Sequence, residues 1–151
     1  MKDIIKNGGV LLWINAAAAV LALIGMIVLF VSNGTPGYAI MGGGGAIACI
    51  IIAFVAILGC AFCCIKFGSQ HFITAVLRVA SIVLVCVCLG IILSDRVGIA
   101  ANVLTWDSAN TVAWGALTSS IVAVVFMLLA VIVLIVTGFM EGKKPEAELA
   151  A

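Results

Sequence analysis

Charge is scarce in this chain. Seven Lys and Arg and six Asp and Glu make up 9% of its 151 residues, where a soluble domain carries about a quarter. Too few polar groups remain to cover a water-facing surface, so a soluble globule is excluded. The formal net charge of +1 also lacks the basic excess of a nucleic-acid-binding face. Proline occurs twice and the 16 glycines follow no Gly-X-Y period, which sets aside collagen-like and disordered classes. The single histidine, His71, rules out haem held by two histidines of one chain. The sequence contains no GxSxG, no HExxH, no phosphate-binding loop and no paired carboxylates. Its carboxylates all lie outside the long apolar runs, whereas a small proton-coupled exporter needs one within them. The sequence therefore predicts no enzyme, no cofactor and no metal site.

What the chain has instead is hydrophobicity, 66% of its residues and a mean hydropathy of +1.45. A hydrocarbon core about 30 Å thick takes roughly 20 apolar residues at 1.5 Å each. Four stretches meet that length: 10–31, 42–65, 72–93 and 115–139. Backbone groups in lipid must be satisfied within the segment, so each stretch is expected to be a helix. The expected fold is an all-α membrane protein, a four-transmembrane-helix antiparallel bundle forming one domain, 1–140, with a mobile cytoplasmic tail, 141–151. The first stretch exceeds the roughly 7–15 apolar residues of a signal peptide and reads as a retained helix.

With the N-terminus inside, Lys2, Lys6, Lys66, Arg78, Lys143 and Lys144 fall on the cytoplasmic side and Arg96 alone outside. This bias predicts an N-in, C-in, multi-pass protein of a plasma or inner membrane. Trp13, Trp106 and Trp114 are expected as interfacial anchors. The first connection, 32–40, reads as a tight uncharged turn around Asn33, Gly34, Pro36 and Gly37. The second, 66–71, is shorter and makes helices two and three neighbours. The third, 94–114, is expected to be the one loop with room for function, with Asp107 or Ser108 capping the last helix.

Helices in lipid associate where small residues let backbones approach. Three stretches carry such stripes at steps of three and four: Asn15, Ala18, Ala22 and Gly25; Gly42, Gly45, Cys49, Ala53, Ala56, Cys60 and Cys63; and Ala116, Ser119, Ala123, Met127, Ala130, Leu134 and Thr137. Their spacing of about 3.5 is that of a left-handed bundle. Helix two, small along its length, is expected to be the most closely packed, with Ile50, Ile51, Phe54, Ile57 and Leu58 toward lipid. Helix three carries a polar face instead, Thr74, Arg78, Ser81 and Cys88. A charge two turns inside a span is costly, so Arg78 is expected to snorkel toward Lys66. The other reading buries it against Asn15, Asp3 or Glu141, or against an anionic lipid or substrate.

Cys60, Cys63 and Cys64, with His71 beyond, have a spacing that invites zinc, but cysteine also serves as a small packing residue, and that reading is preferred. A juxtamembrane cysteine is also a site for acylation. The Gly42 to Gly45 run is read as a loosened helix start that admits helix one, rather than as an anion nest or filter. Asn33, Gly34 and Thr35 are read as turn chemistry, not as a glycosylation site.

Four helices with both ends inside, short turns and a longer last outer loop resemble the plan of MARVEL-type and claudin-type tetraspan proteins. The resemblance is architectural; the claudin first-loop pattern of Trp, Gly-Leu-Trp and a Cys pair has no counterpart in 32–41. The expected function is that of a non-enzymatic tetraspan protein that self-associates or serves as an accessory or structural subunit of a membrane complex. Its expected partners are membrane lipid and other membrane chains, copies of itself included, and no nucleic acid. The helix-packing residues are Ala18, Ala22, Gly25, Gly45, Cys49, Ala53, Ala56, Cys60, Ala116, Ala123 and Ala130. A second reading is a pore or channel subunit in which Thr74, Arg78, Ser81 and Cys88 line an oligomeric pathway. A third is a thiol-redox or metal-binding membrane protein.

Overall fold

A computed structural model describes residues 9–67, 72–106 and 108–141. Lys2, Asp3, Lys6, His71, Asp107 and the tail 142–151 lie outside the described residues, as does the side chain of Glu141. The described chain is all-helical: α1 (Gly9–Asn33), α2 (Gly43–Phe67), α3 (Phe72–Thr105) and α4 (Thr111–Glu141). Each helix is long and apolar enough to cross a membrane. At most a third of each hydrophobic stretch is buried within the chain. The rest faces outward as Val, Ile, Leu and Phe, an arrangement stable only against an apolar surrounding. These features are those of a multi-pass integral membrane protein.

Helix α1 ends where Gly34 N–H returns to the carbonyls of Phe30 and Val31, 3.0 and 3.2 Å away. The turn that follows uses Gly37 and Gly42, both with φ of 78°, a left-handed conformation that side chains resist. The side chain of Asn33 crosses this turn, its Oδ1 accepting from Ile40 N–H at 2.9 Å. A Cβ placed on Gly43 would stand 2.5 Å from that same oxygen, so the second glycine of the run is needed for close approach. Gly44 and Gly45 meet nothing within 4 Å.

Two helix pairs dominate the packing, α1 along α4 and α2 along α3, and the pairs join through α3 with α4 and α1 with α2. Gly25 sits against Met127, whose Cγ would lie 3.0 Å from an added Cβ. Ser32 reaches Ser120 at 2.6 Å. One apolar cluster joins Leu29, Ile50, Ala53, Val85, Cys88, Ile92, Ala123 and Met127. A second joins Ala18, Ala22, Ile57, Ala130 and Leu134.

Four expectations are corrected here. Helix α2 is the least buried of the four, with 22% of its hydrophobic stretch covered against 33% for each of the others. Its inward set is Gly43, Ala46, Ile50, Ala53, Ile57 and Cys60, so Ile50 and Ile57 face the core rather than lipid. Small residues on two sides of α2 left its orientation ambiguous, and bulky Ile fills the space opposite Ala and Cys. The expected loop 94–114 is largely helical, because α3 runs on to Thr105. Its 34 residues extend about 51 Å at 1.5 Å each, well past the hydrocarbon. The cap of α4 is Asn110 rather than Ser108: its Oδ1 accepts from Ala113 N–H at 3.0 Å, the third residue of the helix, as a capping side chain does; Asp107, the other expected cap, lies outside the described residues.

Candidate functional site

The polar side chains buried in the bundle fall into two layers. Each layer is centred on an arginine of α3. Arg78 and Arg96 are 18 positions apart, five whole turns at 3.6 residues each, so they share one face. Ser32 lies 17 positions from Asn15, Gly43 from Cys60 and Ser120 from Thr137. Every helix thus places its two layer residues about 26 Å apart along the axis, close to the thickness of a hydrocarbon core. Between them the interior is apolar but for Ser81, whose hydroxyl donates to the Leu77 carbonyl of its own helix at 2.7 Å. Midway, the Cys88 thiol lies 4.0 Å from the Met127 sulfur.

The Arg96 layer is densely bonded. The guanidinium, 4% exposed, donates through Nε to Ser120 Oγ at 2.7 Å, through Nη1 to the Tyr38 carbonyl at 2.9 Å and through Nη2 to Ser32 Oγ at 3.1 Å. Ser120 Oγ donates in turn to the Ala116 carbonyl at 2.8 Å, which leaves the Ser32 proton for the 2.6 Å contact between the two hydroxyls. The adjacent Asp95 contributes charge at 3.7 Å from Nη1 and accepts Met41 N–H at 2.9 Å through Oδ1. Asn110 Nδ2 donates to the Tyr38 hydroxyl at 2.8 Å. The layer therefore fastens the α1–α2 turn to both α3 and α4 with charge-assisted bonds.

The Arg78 layer is built from different chemistry. Arg78 is 5% exposed, so it is buried in the bundle rather than snorkelling toward Lys66. Lys66 instead lies over the Phe62 ring of its own helix, 5.2 Å from the centroid. The guanidinium Nη2 stands 3.7 Å from Cys60 Sγ, and the Cys60 thiol donates to the Thr74 carbonyl at 3.6 Å. An added Cβ on Gly138 would meet the Arg78 Cδ at 3.8 Å, which places the arginine stem along α4. Thr137 donates to the Val133 carbonyl at 2.6 Å. The α1–α4 register set by Ser32 on Ser120 and Gly25 on Met127 carries Asn15 to the level of Thr137.

Of the packing residues read from the sequence, Ala18, Ala22, Gly25, Ala53, Cys60, Ala116, Ala123 and Ala130 are buried, Cys49 and Ala56 half-buried, and Gly45 exposed. Thr74, Arg78, Ser81 and Cys88 are all buried within this one bundle. The three tryptophans are exposed, and Trp114 Nε1 donates to the Ser108 carbonyl at 2.9 Å. All the cysteines are free thiols, and among the described residues no three His, Cys, Asp or Glu side chains group as metal ligands.

Sequence reasoning missed the Arg96 layer. Its signals were present: Ser32 continues the α1 stripe by one further heptad step, and Arg96 repeats the face of Arg78. It also missed a second small-residue seam, on the outward face of α3, where Ala75, Val79, Val83, Cys86, Gly90, Ser94 and Gly98 are all exposed. A shallow apolar groove of about 660 Å³ lies at one end of this face, lined among others by Phe72, Val76, Val79 and Val83. No family model matches this chain, and no curated protein or solved structure is similar to it.

Proposed function

We propose that this protein is a non-enzymatic tetraspan subunit that assembles, with copies of itself or with other membrane chains, through the outward face of α3. The observation that carries the reading is Gly90. It lies mid-way along a membrane-length helix, is exposed, and an added Cβ there would meet nothing within 4 Å. A glycine in a helix interior costs about 1 kcal/mol relative to Ala, and its use in lipid is to let another helix approach closely. Val83, Cys86, Ser94 and Gly98 extend the same narrow seam above and below it. Gly45, equally open on α2, offers a smaller area for the same purpose.

In this reading the helices alternate in direction and both termini lie in the cytoplasm. Contacts of Gly25 with Met127 and of Ser32 with Ser120, which step up α1 as they step down α4, support the antiparallel arrangement. The six-to-one distribution of Lys and Arg supports the orientation. The pore reading has less to stand on, because the polar face of α3 is occupied inside its own bundle and is not presented to a pathway between subunits.

The test is the native mass of the complex after gentle extraction, compared between wild type and Gly90→Leu. A bulky residue on the seam is expected to reduce the complex to a smaller species without lowering the thermal midpoint of the bundle, because replacing a helix-interior glycine favours the helix. An unchanged mass would overturn this face as the site of assembly. Ala53→Leu is not an equivalent test, because Ala53 is fully buried and its replacement attacks the bundle itself.

A further inference from the structure

Asn15 is the least satisfied polar group in the interior. It is 1% exposed, and neither Oδ1 nor Nδ2 of its amide has a hydrogen-bond partner among the described residues. Its neighbours by level have their protons committed elsewhere: the Thr137 hydroxyl to Val133 and the Cys60 thiol to Thr74. An amide left dry in such surroundings costs several kcal/mol, by the order-of-magnitude scale for polar groups moved to an apolar medium. Buried groups of this kind are normally met by ordered water making about three hydrogen bonds.

We infer that the Asn15 layer is a binding site for ordered water, located between the four helices at the Arg78 end of the bundle. An amide both donates and accepts, and water answers both needs at once, giving a proton to Oδ1 and taking one from Nδ2. A monatomic anion meets only the donor half and leaves Oδ1 unsatisfied. The Thr137 oxygen keeps a lone pair for a second bond to the same water, and the guanidinium of Arg78 in the same layer gains hydration without leaving the bundle. Next along the axis, Ala18, Ala22, Ile57, Ala130 and Leu134 present only apolar groups, so the water stops at that collar. The bundle interior is wet in one polar layer and dry through the slab above it.

The experiment needs no substitution. Ile14 followed by Asn15 is the one Ile-Asn step in the sequence, so carbonyl-labelled Ile with nitrogen-labelled Asn singles out Asn15 in the full chain. Its side-chain amide protons are then assigned within the residue. Cross-relaxation from water to those protons, recorded in lipid nanodiscs, is expected to be at least tenfold stronger than to the backbone amide of Ala130 in the collar. Intensities for Asn15 and Ala130 that match would overturn the site. A second readout is the folding equilibrium of Asn15→Leu, which keeps the branched shape and the number of heavy atoms. Loss of a hydrated amide is expected to lower the ratio of folded to unfolded protein about tenfold, whereas removal of a dry, orphaned amide would raise it and refute the inference.

Discussion

The two arginine layers stand at equivalent places in the same bundle and solve the burial of a guanidinium in opposite ways. At Arg96, oxygen acceptors from three segments converge: a hydroxyl from α1, a hydroxyl from α4 and a carbonyl from the connecting turn. At Arg78, the facing group on α2 is a thiol, the hydroxyl of Thr137 on α4 is turned to its own helix, and α1 presents an amide that bonds to no described residue. Position along the bundle therefore does not decide how a buried charge is satisfied. The identity of the residue that each neighbouring helix presents at that level does. Serine at 32 and 120 makes a clasp; asparagine at 15 makes no bond to a described residue and threonine at 137 bonds to its own helix.

The contrast is open to attack in order of expected effect. Arg96→Met keeps the stem and removes the fork, leaving two buried hydroxyls and a carbonyl without their cation. It is expected to cost about 3 kcal/mol, measured as a shift in unfolding on titration with a denaturing detergent. Ser120→Ala leaves the guanidinium in place and removes one acceptor and the hydroxyl pair. A loss of about 1.5 kcal/mol is expected, the range of a single hydrogen bond to a charged group. Thr137→Val is the matching change in the other layer, and because that hydroxyl bonds back along its own helix and otherwise meets only a neutral water, a cost below about 1 kcal/mol is expected. Equal losses for Ser120→Ala and Thr137→Val in the same titration would erase the distinction between the layers.

Much of the fold was legible in the sequence. Four apolar stretches of membrane length announce four helices, and the α1 and α4 stripes name the residues that meet, from Ala18 and Ala22 to Ala123 and Ala130. What escaped had physical reasons. Helix α2 carries small residues on more than one side, so spacing alone did not say that Ile50 and Ile57 point inward. Helix α3 was ended where hydrophobicity ends, at 93, although a helix needs no lipid to continue through Ala100 and Ala101 to Thr105. Arg96 was counted as a charge outside the membrane and given no partner, because its acceptors lie 58 to 64 positions away along the chain or 24 beyond it. The α4 stripe runs through half-buried Ser119 rather than its buried neighbour Ser120, and the α1 stripe stops at Gly25, one heptad short of Ser32, so spacing alone passes over the two serines that carry the clasp.

The pairing of α1 with α4 also sets an order of events during synthesis. Of the four helices, α1 finds its main partner in α4, so it waits through the synthesis of α2 and α3 without the surface it is shaped to meet. Until α4 arrives, Asn15 and Ser32 lack part of their eventual surroundings, and the turn after α1 has Arg96 but not Asn110 to hold it. The bonds at Arg96 and Asn110 fasten the first turn, the long third helix and the last helix together only once α4 is in place. A chain that stops before Ser120 holds three helices and an arginine missing one of its acceptors, so chemistry at a single layer tells it from a chain in which the fourth helix has closed the bundle.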